Sequence, residues 1–127
     1  HVGGLLYQQR GERQDSYQGL QANLRRFGVE ERVRCLQATT EQAAEQRLVP
    51  DDAAFALAFI DGLHTADAVR TDWDFVRPRM TERAVIVFDD YFEAGIADYA
   101  AAIDELAAND GRELQRDEQA RLVYLHV

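Results

Sequence analysis

The chain has 127 residues, a formal net charge of −9, 14 arginines, no lysine and one cysteine. The lack of lysine excludes Schiff-base enzymes and lysine-dependent phosphate-binding loops, and the single Cys35 excludes internal disulfides and cysteine-cluster metal sites. The acidic charge argues against a nucleic-acid partner. Because no stretch approaches the roughly 18 apolar residues of a membrane span, we also expect no membrane partner and a cytoplasmic protein.

The first part of the chain predicts two strands and two helices. Residues 2–8 have the composition of a short strand. Apolar residues then recur at helical spacing, which predicts a helix capped by Ser16 and closed by Gly28. Residues alternate over 32–38 with Val33 and Cys35 on one face, which predicts a strand. Thr40 is predicted to cap a short helix that runs to about residue 48.

Two continuous apolar runs lie in the middle of the chain, at 55–60 and 84–88. A run without alternation is typical of a strand that is buried on both faces of a parallel sheet. Between the two runs, apolar residues at helical spacing predict a helix that Thr65 caps and Pro78 terminates.

The last part predicts a helix from Ile96, followed by two consecutive strands at 112–117 and 121–127. Strand–helix alternation that ends in two strands predicts an α/β fold with a mostly parallel sheet and a C-terminal antiparallel strand pair. No repeat or linker divides the sequence, so we interpret residues 1–127 as a single domain or part of one.

Acidic residues follow both strands that are predicted to be buried: Asp61 after the first, and Asp89 and Asp90 after the second. In an open α/β sheet the ligand crevice lies outside the carboxyl ends of the strands, so these carboxylates are expected in one small volume. Oxygen ligands without sulfur favour Mg²⁺, with Mn²⁺ or Ca²⁺ as alternatives. The competing interpretation is that Asp61 and Asp90 cap turns and Asp89 points to solvent.

His64 follows Asp61 in the predicted loop between strand and helix. Imidazole is the side chain that gains and loses a proton near neutral pH, so His64 is a candidate general base. The alternative is a structural hydrogen bond to a backbone carbonyl.

The stretch FIDGLHTADAVRTDWDFVRPRMTERAVIVFDDY, residues 59–91, resembles the class I S-adenosylmethionine-dependent methyltransferases, in particular methyltransferase family 24. Residues 16–44 are similar to the family's helix, G-V-x-x-R-V connection, third strand and next helix. The resemblance implies a Rossmann-like three-layer sandwich. It also implies methyl transfer from S-adenosylmethionine to an oxygen of a small molecule, such as a sugar or polyhydroxylated metabolite.

The resemblance also implies roles for particular residues. Asp61, Asp89 and Asp90 become candidate Mg²⁺ ligands, and the metal would lower the pKa of the acceptor hydroxyl. His64 becomes the candidate base, with Asp61 as a second catalytic residue. Thr39 matches the adenine side of the cofactor site and, with Asp61, is a candidate cofactor-binding residue, although a threonine there also suits a helix cap.

The sequence departs from the family at its start. The glycine-rich turn and the first strand–helix unit, which hold the cofactor, cannot be found before Ser16. We therefore expect a fragment, a partial methyltransferase domain.

Two alternatives to a methyltransferase function stay open. One is a non-catalytic remnant that binds partners or forms homo-oligomers through an exposed sheet edge. The other is a metal-dependent hydrolase that uses the same acids.

Overall fold

The computed structural model describes residues 16–127. The predicted strand at 2–8 lies outside this range. The chain divides into two compact units, one ending at Leu48 and the other comprising Val49–Val127, and each is described by itself. No helix within residues 16–127 is both long enough and apolar enough to cross a membrane.

Helix α1 (Ser16–Arg26) opens the described part of the first unit. It ends where the sequence predicts, because Gly28 adopts a φ of 65°, a left-handed conformation that costs glycine nothing. The Val29 amide then donates to the Leu24 carbonyl over 3.0 Å, the hydrogen bond of a Schellman motif.

The predicted strand at 32–38 is wrong. The chain forms a short 3₁₀ helix, Glu30–Arg32, and then runs without regular structure to residue 39. Alternating residues are suited to a strand, but a strand exists only where a neighbour pairs with its backbone. The described sheet contains no strand paired with this stretch.

Helix α2 (Thr40–Glu45) is shorter than predicted, and its cap is Thr39 rather than Thr40. The Thr39 hydroxyl accepts from the Gln42 amide over 3.2 Å, while the Gln42 side chain accepts from the Thr39 amide over 3.0 Å. This reciprocal capping box satisfies two amides that the first turn of the helix leaves free.

The second unit contains a four-stranded sheet with the order β1-β2-β4-β3. Strands β1 and β2 are parallel, whereas β4 runs antiparallel to both β2 and β3, which confirms the predicted C-terminal strand pair. Because β4 lies between β2 and β3, the described sheet is mixed rather than mostly parallel as predicted. The strands are β1 (Phe55–Ile60), β2 (Met80–Phe88), β3 (Gln115–Asp117) and β4 (Leu122–His126).

Two helices connect these strands: α3 (Ala66–Val76) and α4 (Ala97–Asn109). As predicted, Thr65 caps α3, and its hydroxyl accepts from the Ala68 amide over 3.3 Å. After α3 the chain passes through a 3₁₀ turn that contains Pro78, a residue that removes a helix donor.

The core lies on one face of the sheet. Ala58 and Ile60 of β1 are buried, and so are the alternating residues of β2 and β4 that share their face. The single tryptophan, Trp73 of α3, stacks on Phe88 at a centroid distance of 6.3 Å. On the other face, Leu57 and Phe59 are 63% and 56% exposed. The prediction that β1 is buried on both faces is therefore wrong for the structure described.

Candidate active site

The two parallel strands end at the same level. Ile60 pairs with Phe88, and the Asp89 amide continues the ladder by donating to the Ile60 carbonyl over 3.1 Å. Asp61 and Asp89 are thus the first residues beyond the same edge of the sheet. The sequence predicts this convergence, since an aspartate directly follows each of the two apolar runs.

His64 lies among carboxylates at this edge. Its Nε2 atom is 3.8 Å from Oδ1 of Asp61 and 4.0 Å from Oδ2 of Asp90, and its Nδ1 atom is 3.6 Å from Oε2 of Glu93. The side chain is only 15% exposed. Nε2 is shielded from solvent, and no residue of 16–127 hydrogen-bonds to it. A buried polar atom without a partner is costly, and a bound water, ion or ligand can satisfy it.

One group of potential metal ligands is present among the described residues. It consists of His64, Asp90 and Glu93, whose ligand atoms all lie within 4.8 Å of one another. Of the three predicted ligands, Asp90 belongs to this group. Asp61 lies on the Nε2 side of the imidazole, and its side chain is 55% exposed. The carboxylate of Asp89 is outside the group.

Glu93 is a site residue that the sequence analysis missed. Its amide donates to the Asp90 carbonyl over 2.9 Å, which closes a turn and brings its side chain near that of Asp90. The available signal was the three-residue spacing of two acids directly after a buried strand, since a turn brings such residues together.

Tyr99 of α4 forms the inner wall of the site. Its hydroxyl donates to the Asp89 carbonyl over 3.0 Å, and its ring centroid lies 5.1 Å from that of His64. Burial raises the pKa of the Tyr99 phenol well above its ordinary value, and four nearby carboxylates, Asp89, Asp61, Asp72 and Asp90, raise it further. The phenol therefore stays protonated and remains a hydrogen-bond donor.

An arginine of the β3–β4 turn also contacts the site. Nη2 of Arg121 lies 2.9 Å from Oδ1 of Asp90. This contact partly compensates the negative charge at the strand ends, and it connects the C-terminal hairpin to the loop after β2.

A cavity of about 310 Å³ lies where α3 and α4 begin. Its lining consists of His64, Thr65 and residues 95–99. This volume is at the lower end of the usual range for small-molecule sites, about 300–1,000 Å³. A molecule bound there would contact the His64 side chain.

Thr39 belongs to the first unit. Both its hydroxyl and its amide take part in the capping box of α2. The structure thus provides the cap that was the alternative to cofactor binding, while the predicted contact of Thr39 with a cofactor stays a prediction.

Comparisons with known proteins identify the family of the chain. A family model described as "Methyltransferase domain" matches residues 5–91, which is more than half of the chain. No curated protein sequence matches the chain.

Among solved structures, the fold is similar to the apo structure of CalS11, a TDP-rhamnose 3′-O-methyltransferase of calicheamicin biosynthesis, with a TM-score of 0.52 and 19% identity. That alignment covers 71% of this chain and 37% of the CalS11 chain, so this chain spans little more than a third of that structure. The sequence motifs and the family match together show that the chain belongs to the class I S-adenosylmethionine-dependent methyltransferases.

Proposed function

We propose that this protein transfers a methyl group from S-adenosylmethionine to a hydroxyl oxygen of a small polyhydroxylated molecule, with a divalent cation bound at the strand ends. Family membership supports the methyl donor. The observation that carries the site is the buried Nε2 atom of His64, which lacks a hydrogen-bond partner within residues 16–127 and faces two carboxylates.

The side chains at the strand ends fit a hard divalent cation. Asp90 and Glu93 offer carboxylate oxygens close together, and the Asp61 carboxylate, like that of Asp90, faces Nε2 of His64. Oxygen-rich sites of this kind suit Mg²⁺ or Mn²⁺. Bound there, the cation would lower the pKa of the acceptor hydroxyl.

In the proposed mechanism His64 is the general base. The acceptor hydroxyl gives its proton to Nε2, and its oxygen forms a bond to the methyl carbon as the bond from that carbon to sulfur breaks. Asp61 and Glu93 flank the imidazole and stabilise the imidazolium that results. S-Adenosylmethionine supplies the electrophilic methyl group, and the main task of the protein is to hold donor and acceptor in line.

The acceptor class is proposed from the neighbouring cavity and from one relative. Acidic side chains around His64 favour a ligand rich in hydroxyl donors over an anionic group at the reacting end. The structurally similar CalS11 is described as acting on the 3′-oxygen of TDP-rhamnose. We therefore propose a sugar or a comparable polyol as the acceptor.

Isothermal titration with S-adenosylhomocysteine tests the donor part of this proposal. It should be carried out on this chain and on the product of its whole gene, since the chain spans 37% of CalS11. We expect the whole gene product to bind. Failure of both proteins to bind would contradict the methyltransferase function.

Transfer of a radioactive methyl group to a panel of sugars, nucleotide sugars and catechols tests the acceptor and the base. We expect His64→Gln to lower the rate by about 10²-fold or more while S-adenosylhomocysteine still binds. His126→Gln is the matched control, because His126 is an exposed residue of β4. Equal rates for the two variants would exclude His64 as the base.

A further inference from the structure

Arg121 lies at the end of the turn that joins β3 to β4 and has a φ of 62°. The turn is ordered by two hydrogen bonds: the Ala120 amide donates to the Asp117 carboxylate over 2.9 Å, and the Arg121 amide donates to the Glu118 carbonyl over 3.3 Å. The Arg121 side chain is 57% exposed, yet its guanidinium reaches back 2.9 Å to Oδ1 of Asp90.

The two carboxylate oxygens of Asp90 face different partners. Oδ1 contacts Arg121, whereas Oδ2 faces Nε2 of His64 at 4.0 Å. Asp90 itself has a φ of 54°, in the left-handed region that non-glycine residues seldom adopt. An ion pair on one oxygen fixes the rotation of the carboxylate, so the other oxygen points at the ligand group.

A second arginine of the same hairpin holds the next residue of the loop. Nη2 of Arg116 lies 2.9 Å from Oδ1 of Asp104 and 3.3 Å from the Tyr91 hydroxyl, which itself donates to Asp104 over 2.9 Å. The hairpin thus contacts two consecutive residues, Asp90 and Tyr91. Because Arg116 anchors the loop independently, loss of the Arg121 side chain should change the orientation of the Asp90 carboxylate more than the course of the backbone.

We propose that Arg121 is a positioning residue that orients Asp90 so that Oδ2 serves as a ligand of the divalent cation. This inference rests on the cation of the proposed function.

Removing Arg121 has two opposing effects on the affinity for the cation. Loss of its positive charge strengthens cation binding, but for a largely exposed pair this is worth only about a few-fold. Loss of an outer partner that orients a ligand typically weakens binding about 10–100-fold. Weaker binding is therefore the expected net result.

The test is a titration of the chain with MnCl₂, with free Mn²⁺ followed by electron paramagnetic resonance. Arg121→Met keeps an unbranched apolar stem and removes the charge and the donors. We expect it to raise the dissociation constant about 10-fold. Arg121→Lys keeps a charge and a donor and should recover most of the affinity. Arg70→Met is the matched control, because Arg70 forms a 2.7 Å ion pair with Glu105 outside the ligand group.

Thermal unfolding without cation should give the same midpoint for Arg121→Met and Arg70→Met within about 2 °C, since exposed ion pairs add little stability. A dissociation constant that is unchanged or lower in Arg121→Met overturns the role of Arg121 and leaves the proposed function intact. Absence of Mn²⁺ binding in the unaltered chain overturns the cation of the proposed function and this inference with it.

Discussion

At the scale of single residues, the site combines groups that the sequence predicts with groups that only the folded chain brings together. Asp61 and Asp90 were identifiable because each follows a continuous apolar run, and the structure places both within 4.0 Å of His64. Glu93 and Arg121 were not identified, since one depends on a turn and the other on a hairpin far along the chain. Contacts between distant segments follow from tertiary packing, which residue spacing does not encode.

The raised pKa of Tyr99 leads to a prediction about the stability of the chain at alkaline pH. Because burial and nearby carboxylates raise its folded-state pKa, the protonated phenol stabilises the fold fully below a pH of about 10, the pKa of an exposed tyrosine. This contribution is lost as the pH rises above that value. We expect the free energy of unfolding to fall more steeply above about pH 10 in the unaltered chain than in Tyr99→Phe. Urea unfolding at a series of pH values measures this difference.

Tyr99→Phe also removes the hydrogen bond to the Asp89 carbonyl, so it should destabilise the chain by about 1 kcal/mol at neutral pH. Tyr124→Phe on β4 is the control, because it leaves that hydrogen bond intact. A steep alkaline loss that persists unchanged in Tyr99→Phe would show that another group is responsible.

At the scale of elements, the sequence predictions are correct where residues close together in the chain determine the element. The apolar runs of β1 and β2, the cap at Thr65 and the glycine at the end of α1 are all of this kind. The strand predicted at 32–38 failed because strand formation depends on a partner, and the threonine cap of α2 was misplaced by one residue. The cap is the residue that keeps non-helical φ and ψ angles before the first turn. Two adjacent threonines suit this position equally well, so the sequence alone does not distinguish them.

Helix α1 offers a matched pair of glycine substitutions. Gly19 lies inside the helix with no atom within 4 Å of an added Cβ, so Gly19→Ala should stabilise the helix by about 0.5–1 kcal/mol. Gly28 has a φ of 65°, so Gly28→Ala should destabilise it by about 1 kcal/mol. Circular dichroism at 222 nm during thermal unfolding measures both. Shifts in the same direction for the two variants would contradict the assigned C-terminus.

The cap of α3 provides a second test at this scale. Thr65→Ala removes the acceptor of the Ala68 amide and should cost about 1 kcal/mol of stability, whereas Thr65→Ser keeps the hydroxyl and should cost less. Chemical unfolding measures the difference. Equal losses for the two variants would mean that the methyl group of Thr65, rather than its hydroxyl, stabilises this region.

At the scale of the whole molecule, the second unit buries one face of its sheet and leaves Leu57 and Phe59 exposed on the other. Neighbouring residues of β1 should therefore respond very differently to truncation. Ile60→Ala opens a cavity in the core and should cost about 2–5 kcal/mol, whereas Phe59→Ala should cost less than about 1 kcal/mol. Urea unfolding compares them. A large loss in Phe59→Ala would show that this side chain is covered in solution.

Trp73 gives the molecule an internal optical probe. It is the only tryptophan, it is 7% exposed, and it stacks on Phe88, the residue directly before the acids of the site. Its fluorescence will therefore report the packing of the Val49–Val127 unit, whereas helical circular dichroism also includes α1 and α2. Asp89 and Asp90 follow directly, one and two residues after Phe88, whose ring stacks on this indole. Binding of the proposed cation should thus be measurable by tryptophan emission without any attached label.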